Sequence, residues 1–526
     1  MKKVIIGSRG SELALWQANY ILAKLRELGA DAQLKTIKTR GDLIPDTGFD
    51  KMEGKGFFTK EIEDALLKKE IDLAVHSHKD LPTSLPDGLM IAAVSGREDP
   101  SELLLINKEA ADERKKFSLR TGAVVGTSSV RRKSQLLALR SDVVIKELRG
   151  NVPTRIRKLR EKQYDAILIA AAGVNRLEID LAEFINEKLS PKEFIPAPAQ
   201  GVLALEMRAG EKELAALLSE LNDVSVSEAI SIERKVLNLF DGGCQLPLGV
   251  YCEKDEDEGG KILFKVWAAK AETGTSLPKY FYFESKQADG LAEKIAEKIK
   301  NVKPSPVFIT RNPRKHDLFA DILSGHGYRV TCKTLIEIKP LPVKNIPQTE
   351  WVFFSSKHAV KYFFELKPDI DGKKFGAVGK STAAELRSHG VRADFIGYSA
   401  DTRLTGKQFA SVAGNKTVLF PQAKESMRSI QQQFPKKEKV FDIPVYETIY
   451  QGENFILPPD TGILVFTSPS NVEAFFRNGK NKISPQQKVI AMGGATAHTL
   501  RKTGARVSKE PPSFDDMGLL QAVFSL

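Results

Sequence analysis

Cysteine is scarce in this sequence. Three thiols, Cys244, Cys252 and Cys332, occur in 526 residues, and no pair has CxxC spacing. Three cannot make a disulfide framework, so each thiol is read alone. Long apolar runs are missing as well: no stretch approaches the roughly 18–20 residues of a membrane span. The apolar run Val4-Ile5-Ile6 after Met1-Lys2-Lys3 stops far short of the roughly 7–15 residues of a signal-peptide core. A cytoplasmic location with no membrane partner is therefore expected. Neither an aromatic RNA-binding signature nor helix-turn-helix spacing stands out, which argues against nucleic acid. His76 and His78 tempt as a ligand pair, but no third ligand is evident near them, and no metal site is expected.

What is present is an ordinary globular composition, 42% hydrophobic and 28% charged, long enough for about three to five compact units. The net charge of +12 and pI near 9.2 point to acidic partners, with a polyanionic small molecule among them. Through the first 300 residues a short apolar run, a polar loop and a helix recur. Val4-Ile5-Ile6 precedes a helix with Leu13, Trp16, Tyr20 and Ala23 on one face. The runs Ile71 to Val75, Ala123 to Val125, Val143 to Ile145 and Ala166 to Ile169 follow the same plan. The alternation predicts parallel α/β layers. Asp255-Glu256-Asp257-Glu258-Gly259-Gly260 reads as a hairpin loop, a helix follows near 291–299, and residues 301–306 read as a linker. The alternation then resumes, with runs ending in Ser355-Ser356, Thr467-Ser468 and Gly493-Gly494-Ala495-Thr496.

Several strand ends in the first half combine hydroxyls, glycine and arginine. Ligands of α/β sheets bind beyond the carboxyl ends of strands, where helix N-termini offer free N–H groups. Thr127, Ser128, Ser129, Arg131 and Arg132 form one such group. Arg149 with Arg155, and Arg9 with Ser11, form others, and Lys55 adds a cation on a Gly-rich turn. Five arginines at strand ends suit a ligand with several carboxylates. Lys79-Asp80 follows a buried strand, and an acid held among cations suits a reaction with a cationic intermediate. Cys244, between Gly242-Gly243 and Pro247, reads as a reactive thiol on a tight turn.

These segments together resemble hydroxymethylbilane synthase (porphobilinogen deaminase). The matching pieces are Gly7-Ser8-Arg9-Gly10-Ser11-Glu12-Leu13-Ala14, Lys38-Thr39-Arg40-Gly41-Asp42, Gly54-Lys55-Gly56, His76-Ser77-His78-Lys79-Asp80-Leu81-Pro82, Gly126 to Arg132, Leu148 to Val152, Ala199-Gln200-Gly201 and Gly242 to Pro247. The resemblance implies one covalent dipyrromethane cofactor per chain, joined to Cys244 by a thioether. It further implies head-to-tail addition of four porphobilinogen units, each losing ammonia, and release of hydroxymethylbilane. In that reading Asp80, with Lys79, is catalytic. Arg131, Arg132, Ser129, Lys55, Thr127 and Ser128 hold the cofactor, and Arg9, Ser11, Arg149, Arg155 and Gln200 hold substrate. Glu53 and Ala199 stand where the family favours glycine, and His78 where an apolar residue is usual.

Residues from about 305 onward resemble uroporphyrinogen-III synthase, through Phe354 to Val360, Ala377 to Ala383, Pro444 to Thr448, Phe466 to Val472 and Ala491 to Ala497. The implied reaction inverts the last ring and cyclises the bilane to uroporphyrinogen III without a cofactor. Tyr446, Thr467, Ser468, Ser470 and Thr496 are the candidate substrate contacts. The expected fold is a two-lobed, periplasmic-binding-protein-like deaminase plus a small α+β domain, then a two-lobed α/β synthase. The deaminase takes residues 1–300: lobe 1 about 1–97 and 198–217, lobe 2 about 98–197, and the cofactor-carrying domain about 218–300. The synthase takes 307–526: lobe 1 about 307–340 and 448–526, lobe 2 about 341–447. A monomer is expected. The competing readings are an active deaminase with an inactive C-terminal module, and a non-enzymatic polyanion-binding protein.

Overall fold

The computed structural model describes residues 3–39, 59–243, 245–256, 259–397, 402–451, 455–477 and 479–526. Lys55 and Cys244 lie outside them. Among the described residues the strands form five sheets. The chain divides into two units, one of residues 1–304, 316–328 and 515–526, the other of 305–315 and 329–514.

In the first unit, one five-stranded sheet has the order Asp31–Thr36, Lys3–Ser8, Leu73–Ser77, Leu203–Arg208, Leu89–Val94. A second has the order Val144–Lys146, Val124–Gly126, Ala166–Ala170, Glu102–Ile106, Ile185–Leu189. The alternation predicts parallel layers, but neither sheet is wholly parallel. Leu203–Arg208 runs antiparallel to both its neighbours, and so does Glu102–Ile106. The cause is the crossing of the chain between the sheets, through 95–101 and 190–202. A chain leaving one sheet at the carboxyl end of its strands enters the other sheet at that same end, and so runs backwards through it. The inversion therefore reports that the carboxyl ends of the two sheets share one side.

Glu233 ties both crossings together. Buried on the helix Val224–Asn238, it accepts from the Arg97 guanidinium at 2.7 and 3.2 Å, from the Ala199 N–H at 2.7 Å and from the Cys252 N–H at 2.7 Å. Cys252 lies buried in the first strand of a three-stranded antiparallel sheet, Leu248–Glu256, Ile262–Lys270, Lys279–Ser285. Burial beside Glu233 pushes its thiol far up, which keeps it inert. Of the tract read as a hairpin loop, Asp255 and Glu256 extend the first of these strands, Gly259 and Gly260 lie just before the second, and residues 257–258 fall outside the described residues.

The helix Glu12–Glu27 is present, capped by Ser11, but its core face differs from the one read from periodicity. Gln17, Ala18, Ile21 and Leu25 are buried, whereas Tyr20 is 41% exposed. Trp16 and Tyr20 stack on each other, and the Arg176 guanidinium sits over the Trp16 ring. Periodicity groups Leu13, Trp16, Tyr20 and Ala23 on one face but does not say which apolar face meets the sheet.

Ala199 adopts φ +60° and Gly201 φ +89° in the second crossing. A side chain on Gly201 would collide with the Glu98 carbonyl. Ala199 sits in the left-handed region with a Cβ, a strain of about 1–2 kcal/mol for an L residue. Ala199→Gly is expected to raise stability to chemical denaturation by about 0.5–1 kcal/mol, after the added chain entropy of glycine is subtracted. An unchanged or lower midpoint would show that the turn is not strained.

The second unit holds a parallel four-stranded sheet, Val330–Cys332, Val307–Ile309, Ile463–Phe466, Lys488–Ala491. It also holds a six-stranded sheet ordered Ile336–Pro340, Val440–Tyr450, Val418–Ala423, Trp351–Phe354, Lys374–Ala377, Phe395–Ile396. Phe308, Leu464, Phe466 and Phe475 fill the core of the first, and Phe353, Phe409, Phe420 and Phe434 that of the second. The order reverses between Val307–Ile309 and Ile463–Phe466 in the first, and between Trp351–Phe354 and Val418–Ala423 among the parallel strands of the second, which creates a crevice at those strand ends.

Candidate active site

In the first sheet the order reverses between Lys3–Ser8 and Leu73–Ser77, whose carboxyl ends lead to Arg9 and to the turn His78–Asp80. In the second it reverses between Val124–Gly126 and Ala166–Ala170, and the first of these leads to Thr127–Arg132. The two polar groups singled out in the sequence thus stand at the two topological switch points.

Arg131 and Arg132 start the helix Val130–Leu139 and are each 6% exposed. Both grip one buried carboxylate that the sequence reading missed: Arg131 Nη2 donates to Glu102 Oε1 and Arg132 Nη2 to Oε2, each at 2.7 Å. Their other amino groups donate to the Ile195 and Leu168 carbonyls at 3.0 Å. Burial alone would push the Glu102 carboxyl up. Arg132 and Arg131, with Lys79 beyond them, outweigh that and hold it at about 2. Burial pushes the Arg131 guanidinium down, with Glu102 opposing.

Lys79 lies in the turn that follows the strand Leu73–Ser77. Its Nζ donates to Gln200 Oε1 at 3.2 Å, and Gln200 Nε2 in turn donates to the Pro100 carbonyl at 2.8 Å. Burial lowers the Lys79 ammonium, Asp80 raises it, and Arg132 lowers it further. Asp80 itself is exposed. Arg155 is half-buried with its Nε donating to the Gly150 carbonyl at 2.7 Å. Burial and Arg132 bring it down to about 10, against the pull of Asp80 and Glu102. Arg9 and Arg149 are half-buried at their strand ends.

The hydroxyls serve mainly the backbone. Ser11 Oγ accepts from the Ala14 N–H and Ser129 Oγ from the Arg132 N–H, both as helix caps, at 3.4 Å. Thr127 Oγ1 accepts from the Ser129 N–H, while Ser128 Oγ donates to the Leu148 carbonyl at 2.8 Å. His76 Nε2 lies 2.9 Å from buried Glu206, and burial drives His78 down to about 3, with Arg234 nearby.

In the second unit Thr467 follows the strand Ile463–Phe466, and its Oγ1 donates to the Thr310 carbonyl at 2.7 Å. Thr310 follows Val307–Ile309, so this pair bridges the switch point of the four-stranded sheet. Ser468 Oγ accepts from the Asn471 side chain at 3.0 Å, and Asn471 Oδ1 accepts from the Leu335 N–H at 2.9 Å. Ser470 is half-buried in the first turn of Pro469–Arg477. Thr496 Oγ1 donates back to the Met492 carbonyl at 3.2 Å. Tyr446 stands on the other sheet; its hydroxyl lies 3.1 Å from Ser356 Oγ, and its ring meets those of His358 and Tyr362. Burial raises the Tyr446 phenol. Residues missed in the sequence are Glu102, Glu233, Arg176 and Thr310, while Ser356 was marked only as the end of an apolar run. The glutamates carry no local signal, whereas Thr310 follows an apolar run as the chosen residues do.

Lys79, Arg131, Arg132 and Arg155 stand against two carboxylates, Glu102 and Asp80, and the Arg132 Nε is buried without a hydrogen-bond partner among the described residues. Cations thus outnumber carboxylates where these strand ends meet. A family model described as porphobilinogen deaminase, dipyromethane cofactor binding domain, matches residues 4–216. Another, uroporphyrinogen-III synthase HemD, matches residues 317–521. The chain is 46% identical to a porphobilinogen deaminase of Bacillus thuringiensis over 260 residues, 49% of this chain and 82% of that one. It is 42% identical to that of a Geobacillus species over 316 residues, 57% of this chain and 99% of that one. A solved mutant uroporphyrinogen III synthase from Thermus thermophilus aligns with 41% of this chain and 95% of its own, at 15% identity and TM-score 0.31. The chain belongs to the porphobilinogen deaminase family. Its second half carries a uroporphyrinogen-III synthase domain, so the whole is a bifunctional enzyme of tetrapyrrole biosynthesis.

Proposed function

We propose that residues 1–300 condense porphobilinogen into hydroxymethylbilane on a dipyrromethane held by Cys244, and that residues 307–526 close the product to uroporphyrinogen III. The observation that carries the first part is the meeting of Lys79 with Gln200 and of Arg131 and Arg132 with Glu102, which faces cations from two lobes toward one mouth. The acetate and propionate groups of a dipyrrole fit that donor set. Arg131, Arg132 and Lys55 would hold them, with Thr127, Ser128 and Ser129 fixing the turn that presents the arginines. When bound, the dipyrromethane supplies the pyrrole carbon to which the next unit is joined.

The remaining work falls to the chain's own residues. Arg9, Arg149 and Arg155 pair with carboxylates of the incoming porphobilinogen, and Ser11 caps the helix behind Arg9. Asp80 accepts hydrogen bonds from pyrrole N–H groups and opposes the positive charge that develops as ammonia leaves. Lys79 stands beside Asp80 and is itself placed by Gln200. In the second unit, Thr467, Ser468, Ser470 and Thr496 at one sheet and Tyr446 at the other border the crevices that would fold the bilane into a reactive conformer. Tethering the two activities raises capture of a product that otherwise cyclises spontaneously to the wrong isomer.

Purified protein given porphobilinogen alone should yield mainly type III uroporphyrin after oxidation. Mainly type I would leave the deaminase and remove the synthase from the reading. Cys244→Ser should lack the mass of a covalent dipyrrole, and a retained cofactor mass would refute the anchor. No helix among the described residues is long and apolar enough to cross a membrane. We assign the working form as a cytoplasmic monomer free of nucleic acid; a dimer in sedimentation, or co-purifying nucleic acid, would overturn that.

A further inference from the structure

We infer that the open edge of the antiparallel sheet over residues 248–285 is a docking surface for the chain's own C-terminal helix, so that the last residues of the synthase sequence complete the fold of the deaminase. That this sheet belongs to the cofactor-carrying domain rests on the reading above; the docking does not.

Lys279–Ser285 is the outer strand of its sheet, and an outer strand leaves backbone groups open to any passing chain. Here the Tyr282 N–H donates to Ser525 Oγ at 2.8 Å, and that hydroxyl donates to the Gln521 carbonyl at 2.6 Å. The edge is thus closed by a side chain just past the end of the helix Asp516–Phe524. Every residue of that helix from Met517 to Phe524 is buried. A helix buried all round is an interior element of the fold.

Its contacts say which fold. The Phe524 ring lies 5.9 Å from Phe281 of the edge strand, and meets His326 at 5.4 Å and Tyr328 at 5.6 Å edge-on. Gln521 Nε2 donates to the Lys192 carbonyl at 2.7 Å, in the chain's return crossing between the first two sheets. The neighbouring helix Leu318–Gly325 ends at a glycine whose missing Cβ leaves room for Leu277, since a Cβ there would lie 2.5 Å from that side chain. Residues 316–328 and 515–526 accordingly belong to the first unit. The chain therefore passes between the units at four points, 304/305, 315/316, 328/329 and 514/515, and the segment 301–306 accounts for only one of them.

The test is amide hydrogen exchange on the full chain. In Phe524→Ala, and more mildly in Ser525→Ala, amides of 279–285 should exchange about tenfold faster or more, the loss of one cooperative contact layer. Strands 351–354 and 418–423 should keep their parental rates. Acceleration confined to 463–466 and 488–491, or none anywhere, would overturn the inference. Should Phe524→Ala not fold, the parental chain is exchanged in rising denaturant. Residues 279–285 and 516–524 losing protection in one step supports the docking, and 516–524 opening alone refutes it. None of these readouts uses catalysis, so a failure of the porphyrin assay leaves them intact.

Discussion

Asp80→Asn should leave the protein folded and reduce ammonia release from porphobilinogen by at least about 10²–10³-fold, the usual loss when one preorganised electrostatic group is removed from a developing charge. The substitution keeps size and shape and removes only the charge. Asp80 is exposed at the end of the turn His78–Asp80, so its loss should change stability by no more than about 0.5 kcal/mol. Its near neighbours in the electrostatic field are Lys79 and Arg155. Without the carboxylate those cations repel the positive charge that forms as the amine departs. The check is ammonia release measured beside a thermal melt, and a well-folded variant with near-parental release would end the assignment.

The second large effect is on stability. Glu102→Ala should cost about 3–5 kcal/mol, because it leaves two buried guanidiniums without their counter-charge. Arg131 and Arg132 are buried and cannot turn to solvent without unravelling the first turn of Val130–Leu139. The pH dependence has a definite sign. The folded carboxyl is held at about 2 against an ordinary 4.5. A depressed value stabilises in full above the ordinary one, and the contribution fades as pH falls from about 4.5 toward 2. The gap between parental and variant unfolding free energies should therefore be widest at neutral pH and shrink across that acid window. A gap that stays constant through the window, or one below about 1 kcal/mol at neutral pH, the level of an exposed ion pair, would show that the triad does not act as described. The yield of chains carrying the covalent dipyrrole mass should fall as well, since Arg131 and Arg132 lose the fork that aims them at its carboxylates.

The parts of this protein legible in its sequence are those set by short-range chemistry. The helix after Val4-Ile5-Ile6 is legible because apolar residues recur at helical spacing just past a polar, Gly-containing loop. The acidic, Gly-ended tract announces a hairpin for similar local reasons. Thr127 to Arg132 and Lys79-Asp80 stand out because polar residues directly after an apolar run fall at a strand's carboxyl end.

What the sequence alone determined is the set of strand ends, the local turns, and the charge that calls for a polyanionic ligand. Each depends on residues within a few positions of one another. The tertiary structure decided what those ends face. Glu102 reads as one more residue of a strand until Arg131 and Arg132, 29 and 30 positions on, close around it. Glu233 joins residues 136 positions earlier and 19 later. The core face of Glu12–Glu27, the reversed direction of the crossing strands, and the placement of the last helix on the edge of an early sheet were likewise settled by packing. Burial and long-range pairing depend on which surfaces meet, and a chain's local pattern carries no record of that partner.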